Sequence, residues 1–248
     1  MASTDGEMQR VPAGSFLTTH WSVVLTAGSS DTTRSQGALE KLCRAYWFPL
    51  YAYVRRRGHS VEDAQDLTQE FFARVLERNW LARADQAKGR FRTFLLTAME
   101  RFLANEWDKV RALKRGGGHL NIPIQLDAAE TRYGVEPVDT RTPEQAFEYR
   151  WALTLLDQVV GQLEGEFNAR DQAELFATLK PCLVGDRAGQ PYAELAAKLG
   201  MEEGAVKVTV HRMRQRYREL LRAEIANTVA SPSEVDAEMH HLFNVLTR

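Results

Sequence analysis

Apolar positions in this chain recur at three- and four-residue steps almost from end to end, and no pair of segments alternates as paired strands do. The fold class this predicts is all-α. A short helix through Trp21, Val24 and Leu25, capped by Thr18 or Thr19, comes first. A longer one runs from about Gln36 to Arg57 on Leu39, Leu42, Tyr46, Leu50 and Val54, with Pro49 expected to kink or restart it and Gly58 to end it. Ser60, with Asp63 three residues on, opens a third helix whose stripe is Leu67, Phe71, Phe72, Val75 and Leu76. After a loop over Arg83–Gly89, a fourth begins near Arg90. It carries Phe91, Leu95, Ala98, Phe102 and Leu103 and stops at Gly116-Gly117-Gly118.

From there to about Thr142 no period is sustained, and Pro123, Gly134 and Pro137 interrupt the segment. Ile122, Ile124 and Leu126 suit a short extended piece, and the whole stretch reads as a tether. Helical spacing then resumes. Pro143 suits the first turn of a helix through Ala146, Leu153, Leu156, Val160 and Leu163. A helix near Asp171–Leu179 follows, then Tyr192–Leu199, Gly200 and a long basic helix. After Ser231-Pro232-Ser233-Glu234, Val235, Met239, Leu242, Phe243 and Leu246 line one more amphipathic helix. The expected organisation is an extension over 1–35, a helical domain over 36–116, a linker over 117–142, a second helical domain over 143–228 and a C-terminal helical extension over 229–248.

Composition adds little to this picture except by exclusion. With 44% hydrophobic and 26% charged residues, the chain is globular rather than disordered, and no apolar run approaches the ~18 residues of a membrane span. Met1–Val11 lacks the basic-then-apolar pattern of a secretion signal, so the cytoplasm is the expected compartment and no membrane partner is implied. Cys43 and Cys182 have no CxxC or CxxH neighbour and are expected to be buried, inert thiols. A net charge of -1 hides segregation by sign. Between Glu203 and Arg222, Lys207, Arg212, Arg214, Arg216, Arg218, Arg222 and His211 face only Glu203 and Glu219, whereas Glu62, Asp63, Asp66 and Glu70 cluster elsewhere.

The basic cluster carries the clearest motif. Pro191-Tyr192-Ala193-Glu194-Leu195-Ala196-Ala197-Lys198-Leu199-Gly200 leads into Met201-Glu202-Glu203-Gly204-Ala205-Val206-Lys207, a helix, a glycine turn and a second helix. Small alanines allow close crossing and the glycine allows the reversal, as in a helix-turn-helix. Val206, Val210, Met213, Tyr217 and Leu220 should pack inward. A DNA contact is favoured over a merely solvated basic face, with Lys207, Val208, His211 and Arg212 nearest the base edges of a major groove. Thr209, Arg214 and Arg216 are candidates for phosphate, which brings affinity and salt dependence without sequence choice.

In the acidic cluster, Asp63, Asp66 and Glu70 share one helix face at i, i+3 and i+7. A solvated face, a metal site and a docking surface for a basic helical partner all fit that pattern, the metal site least because no histidine follows at ligand spacing. No glycine-rich phosphate loop, GxSxG or HExxH is present, which argues against an enzyme, and no cofactor is implied.

Together these segments resemble bacterial RNA polymerase sigma factors of the extracytoplasmic-function group. Tyr46–Arg115 is similar to the family's second conserved domain and Pro143–Glu224 to its fourth. The landmarks are Leu50-Tyr51, the run from Glu62 to Phe72, Phe91-Arg92-Thr93-Phe94-Leu95, and the helix-turn-helix over Tyr192–Arg214. The resemblance implies that Asp63, Asp66, Leu67, Gln69 and Glu70 dock on the clamp helices of the largest subunit of core RNA polymerase. It also implies that the Arg83–Phe94 loop and the helix after it open and read a minus-ten element. Phe91 and Phe94 would form a pocket for an extruded base, with Lys88, Arg90 and Arg92 near phosphate, and Arg101, Asn105 and Lys109 further along. The two phenylalanines are equally consistent with plain core. The basic helix would read a minus-thirty-five duplex element of promoter DNA, and an anti-sigma factor is a further candidate partner.

Three positions depart from the family pattern: Val208 stands where a small polar residue is common, Glu202 where a Ser or Thr cap is usual, and Arg101 where Asn is frequent. The alternative to a sigma factor is a free-standing helix-turn-helix regulator with a ligand-sensing or dimerising first domain, which leaves the acidic run unexplained. The C-terminal helix has two readings, packing on its own domain or covering a DNA- or polymerase-contacting surface.

Overall fold

The computed structural model describes residues 32–77, 80–83, 89–112, 140–183 and 191–247. The expected helix near Trp21, the tether with Ile122, Ile124 and Leu126, and Lys88 lie outside them; so do the side chains of Leu39, Leu76 and Lys109, although their backbone is helical. The eight α-helices among the described residues are α1 (Thr32–Arg56), α2 (Val61–Glu77), α3 (Phe91–Ala112), α4 (Pro143–Asn168), α5 (Ala173–Leu179), α6 (Tyr192–Leu199), α7 (Glu203–Ala226) and α8 (Val235–Thr247). Among those residues there is no strand.

The helix boundaries follow local chemistry. The Asp63 backbone N–H donates to Ser60 Oγ at 3.0 Å, so Ser60 caps α2. At α4, Thr142 and Gln145 form a reciprocal capping box, with Pro143 in the first turn, where a missing N–H costs nothing. Gly200 ends α6 in the left-handed conformation (φ 63°), and the Met201 N–H reaches back to the Ala196 carbonyl at 3.0 Å. Of the two outcomes expected at Pro49, a restart does not occur: α1 continues through it. A proline removes only its own N–H from the ladder, and the burial of Tyr46, Trp47, Leu50 and Tyr51 around it holds the helix through that loss.

Two cores organise the molecule. The larger joins Tyr46, Leu50, Phe71, Phe91 and Phe102 of α1–α3 to Phe147, Trp151 and Leu155 of α4, Leu221 and Ile225 of α7, and Val235 and Leu242 of α8. The smaller holds Leu163 and Phe167 of α4, Phe176 of α5, Leu195 of α6 and Val206, Val210 and Met213 of α7. Helices α4 and α7 therefore each contribute one half to each core. The buried register of α4 is Phe147, Trp151, Leu155, Val159 and Leu163, while Leu153, Leu156 and Val160 are only half-buried. The expected stripe is thus met at Ala146 and Leu163 and only in part between them, because α1, α5, α7 and α8 all pack against this one helix. On α8 the apolar stripe is likewise corrected: Val235 and Leu242 are buried, Phe243 is 50% exposed, and Glu238 takes an inward position. Both Cys43 and Cys182 are buried, and burial pushes the Cys182 thiol up.

Candidate nucleic-acid and polymerase interface

On α7, burial of Val206, Val210 and Met213 turns the opposite face outward. Val208 is 49% exposed, and Lys207, His211, Arg212 and Arg218 are exposed beside it. Lys207 Nζ lies 2.6 Å from Glu203 Oε1, one turn earlier, and 5.9 Å from the centre of the Tyr192 ring. Thr209 is half-buried and its hydroxyl donates to the Ala205 carbonyl at 2.8 Å. Glu202, at the N-cap of α7, makes no side-chain cap, which agrees with its departure from the usual Ser or Thr.

Two cations expected on phosphate have protein partners. Arg214 Nε donates to the Cys182 carbonyl at 2.7 Å, tying α7 to the turn after α5. Arg216 forks onto Glu166 of α4, with Nε 3.0 and 3.1 Å from the two carboxylate oxygens and Nη2 at 2.7 Å, and also meets Glu219 at 3.1 Å. The fork to Glu166, followed by the bond to Glu219, raises the Arg216 guanidinium well above its ordinary value; the same contact holds the Glu166 carboxyl below 4.5. Glu219 lies one turn from Arg216, but Glu166 was not foreseeable from spacing, since it and Arg216 are 50 residues apart.

The acidic face of α2 is split. Asp63 and Asp66 are exposed, Leu67 and Gln69 are half-buried, and Leu67 packs on the larger core. Glu70 is paired with Arg74, which also meets Glu106 of α3 at 2.5 Å and lies 4.9 Å from the Phe102 ring centre. Burial alone would lower the Arg74 pKa; its two carboxylate partners outweigh that and raise it. Thr68, fully buried with its hydroxyl on the Ala64 carbonyl at 2.7 Å, completes the inner face and was not singled out in the sequence. Among the described residues, no group of three or more His, Cys, Asp and Glu is placed to hold a metal ion, and no helix is long and apolar enough to cross a membrane.

The start of α3 is more enclosed than the sequence suggests. Phe91 is buried, edge-on to Tyr46 at 5.5 Å and stacked with the half-buried Phe94 at 5.9 Å. Arg92 is only 2% exposed. Its guanidinium lies 4.0 Å from the Trp151 ring centre, Nε is 2.9 Å from Glu148 Oε2 of α4, and Nη1 pairs with Glu238 of α8. Burial would lower its pKa, but Glu148 and Glu238 together raise it. Arg90 Nη2 is 2.6 Å from the second Glu238 oxygen, an ion pair without hydrogen-bond alignment. Further along α3, Arg101 and Asn105 are exposed one turn apart. Glu148 and Glu238 were missed in the sequence; the available signal was a carboxylate at i+3 within the Val235–Leu242 apolar stripe.

Residues 42–112, which span most of α1 to α3, match the sigma-70 region 2 family model. The first half of this all-α chain is therefore a sigma-70 region 2 domain. Over 205 residues the chain is also 28% identical to the ECF RNA polymerase sigma factor SigE of Mycolicibacterium smegmatis, an alignment covering 81% of this chain and 69% of that protein. The chain thus carries a sigma-70 region 2 domain and is similar over most of its length to an extracytoplasmic-function sigma factor. No solved structure matches it.

Proposed function

We propose that this sigma factor binds core RNA polymerase through α2 and directs promoter-specific initiation, with α3 reading a minus-ten element and α7 a minus-thirty-five element. Residues 36–116 and 143–228 are then the two functional units. The observation that carries the reading is the outward stripe of α7: on the second helix of a helix-turn-helix, Lys207, Val208, His211 and Arg212 stay exposed while the opposite face is locked into a core. A helix so presented fits a major groove, where Lys and Arg reach guanine edges and Val208 suits a thymine methyl. Arg216, held by Glu166, acts here as a strut that fixes the pitch of α7, and Thr209 and Arg214 border the stripe.

For polymerase, the exposed Asp63 and Asp66 supply the negative face, with Leu67, Gln69 and Glu70 beside them. At the minus-ten end, Arg101 and Asn105 offer an open polar face, with Lys109 one turn on. The buried stack of Phe91 on Phe94 gives α3 a rigid start rather than an open base pocket. Lys88 precedes α3 in the sequence, and an anti-sigma factor is a candidate partner. The roles of these groups are binding and positioning; none is asked to do covalent chemistry.

Multi-round transcription of a genomic fragment library by bacterial core polymerase tests the proposal. New, discrete start sites are expected only when the protein is added, with two unlike protected elements in a footprint. Arg212→Ala should weaken the upstream element by roughly tenfold, the cost of one good base contact. Absence of new starts, with the protein alone protecting an inverted repeat, would overturn the assignment.

A further inference from the structure

The apolar stripe of α8 carries a carboxylate where its register demands an apolar residue. Val235, Glu238 and Leu242 stand at i, i+3 and i+7, and all three are buried, Glu238 at 0% exposure. A lone carboxylate at that depth is strongly disfavoured, and this one is matched by two cations from the other end of the molecule, Arg90 and Arg92 at the start of α3. Glu148 of α4 provides the second anion, so two carboxylates face two guanidiniums, and His241 of α8 closes the cluster at 3.1 Å from Glu148. Charge balance is complete only with α8 in place.

We propose that Arg90 and Arg92 form an anion site meant for nucleic-acid phosphate, and that in the free protein the C-terminal helix fills this site with Glu238, making α8 a built-in phosphate mimic. The proposal rests on the promoter reading above, because it gives these two arginines a phosphate to wait for. Val235 and Leu242 seat α8 on the larger core, and the ionic groups between them give that seam a part that can exchange for another anion. Buried ion pairs recover hydration when they separate, so an interface containing them opens at less cost than a hydrophobic one of the same size. The geometry also limits what is closed. The outward stripe of α7, Asp63 and Asp66 of α2, and Arg101 and Asn105 of α3 are all exposed with α8 docked, so α8 withholds only the cationic start of α3 and leaves the other proposed contacts open.

The test uses the full chain and its Glu238→Gln variant, which keeps shape and removes the charge, with a fluorescent twenty-residue oligothymidylate as single-strand probe and a random-sequence duplex as control. If about one free molecule in ten is open, releasing the site tightens single-strand binding about tenfold. Two freed cations also steepen the salt dependence by about 1.4 in log–log slope. Duplex binding should not change. Adding Arg90→Ala should remove the gain. A chain ending at residue 230 serves as the second release variant, with its fold checked by circular dichroism. Unchanged single-strand affinity on release overturns the latch, and the arginines then separate two causes. If Arg90→Ala weakens binding of the closed chain, the promoter reading stands and α8 does not cover it. If Arg90→Ala has no effect in either background, the assignment of these cations to DNA fails, and the latch with it.

Discussion

The fork between Arg216 and Glu166 is the best-defined polar contact on the recognition helix, and its chemistry makes it sensitive to acid. Glu166 has a folded value below 4.5, so between that value and its ordinary one the folded chain binds fewer protons than the unfolded chain. The contribution is therefore present in full above about pH 4.5 and is lost as pH falls through the folded value. Glu166→Gln should leave the melting temperature near neutral pH almost unchanged, since a pair this exposed contributes at most about 1 kcal/mol. Thermal melts from pH 6 downward should then converge, the wild type losing its margin as Glu166 is protonated. Parallel curves would show that the fork adds nothing. This contact is also where a residue-level reading of the sequence stops. Arg216 is visible as a cation on a basic helix, but its partner comes from a helix 50 residues away.

Single elements are set by their ends. Gly200 holds the left-handed turn between α6 and α7, and a Cβ there meets no neighbouring atom, so only the backbone conformation resists substitution. Gly200→Ala should cost about 1–2 kcal/mol from the left-handed strain alone, and Gly200→Asn less, because asparagine tolerates that region. Urea denaturation read by far-UV circular dichroism checks this order; equal losses for Ala and Asn would place the cause in packing. Caps and glycine stops were legible because they act within a few residues: Ser60, Pro143 and Gly200 all stand where the pattern puts them. The inward face of α4 was not. A helix enclosed by four others has apolar residues on most sides, and its own periodicity does not say which neighbour buries which.

At the scale of the whole molecule, the sharing of α4 and α7 between two cores couples both halves of the chain. Trp151 of α4 is buried in the larger core and lies against Arg92. The wild type should therefore unfold in one transition, with labels on α2 and α6 reporting the same midpoint. Trp151→Ala should cost on the order of 3–5 kcal/mol by the cavity it leaves and pull the two midpoints apart. Coincident midpoints in the variant would mean that the smaller core depends on the larger through α7 alone.

The sequence by itself determined the all-α class, most helix ends, the helix-turn-helix and the resemblance that the region 2 match and the relative then bore out. These are local properties: periodicity, capping and turn residues, and motifs whose members lie within a turn or two of one another. Only the tertiary structure decided which cations point outward. Arg92 and Arg216 look no different in sequence from Arg212, yet Glu148 and Glu238, remote along the chain, hold Arg92 inside, Glu166 pins Arg216 at the surface, and Arg212 is exposed. A charge is read from one residue, but whether it is spent inside the protein depends on what folding brings within a few ångströms of it.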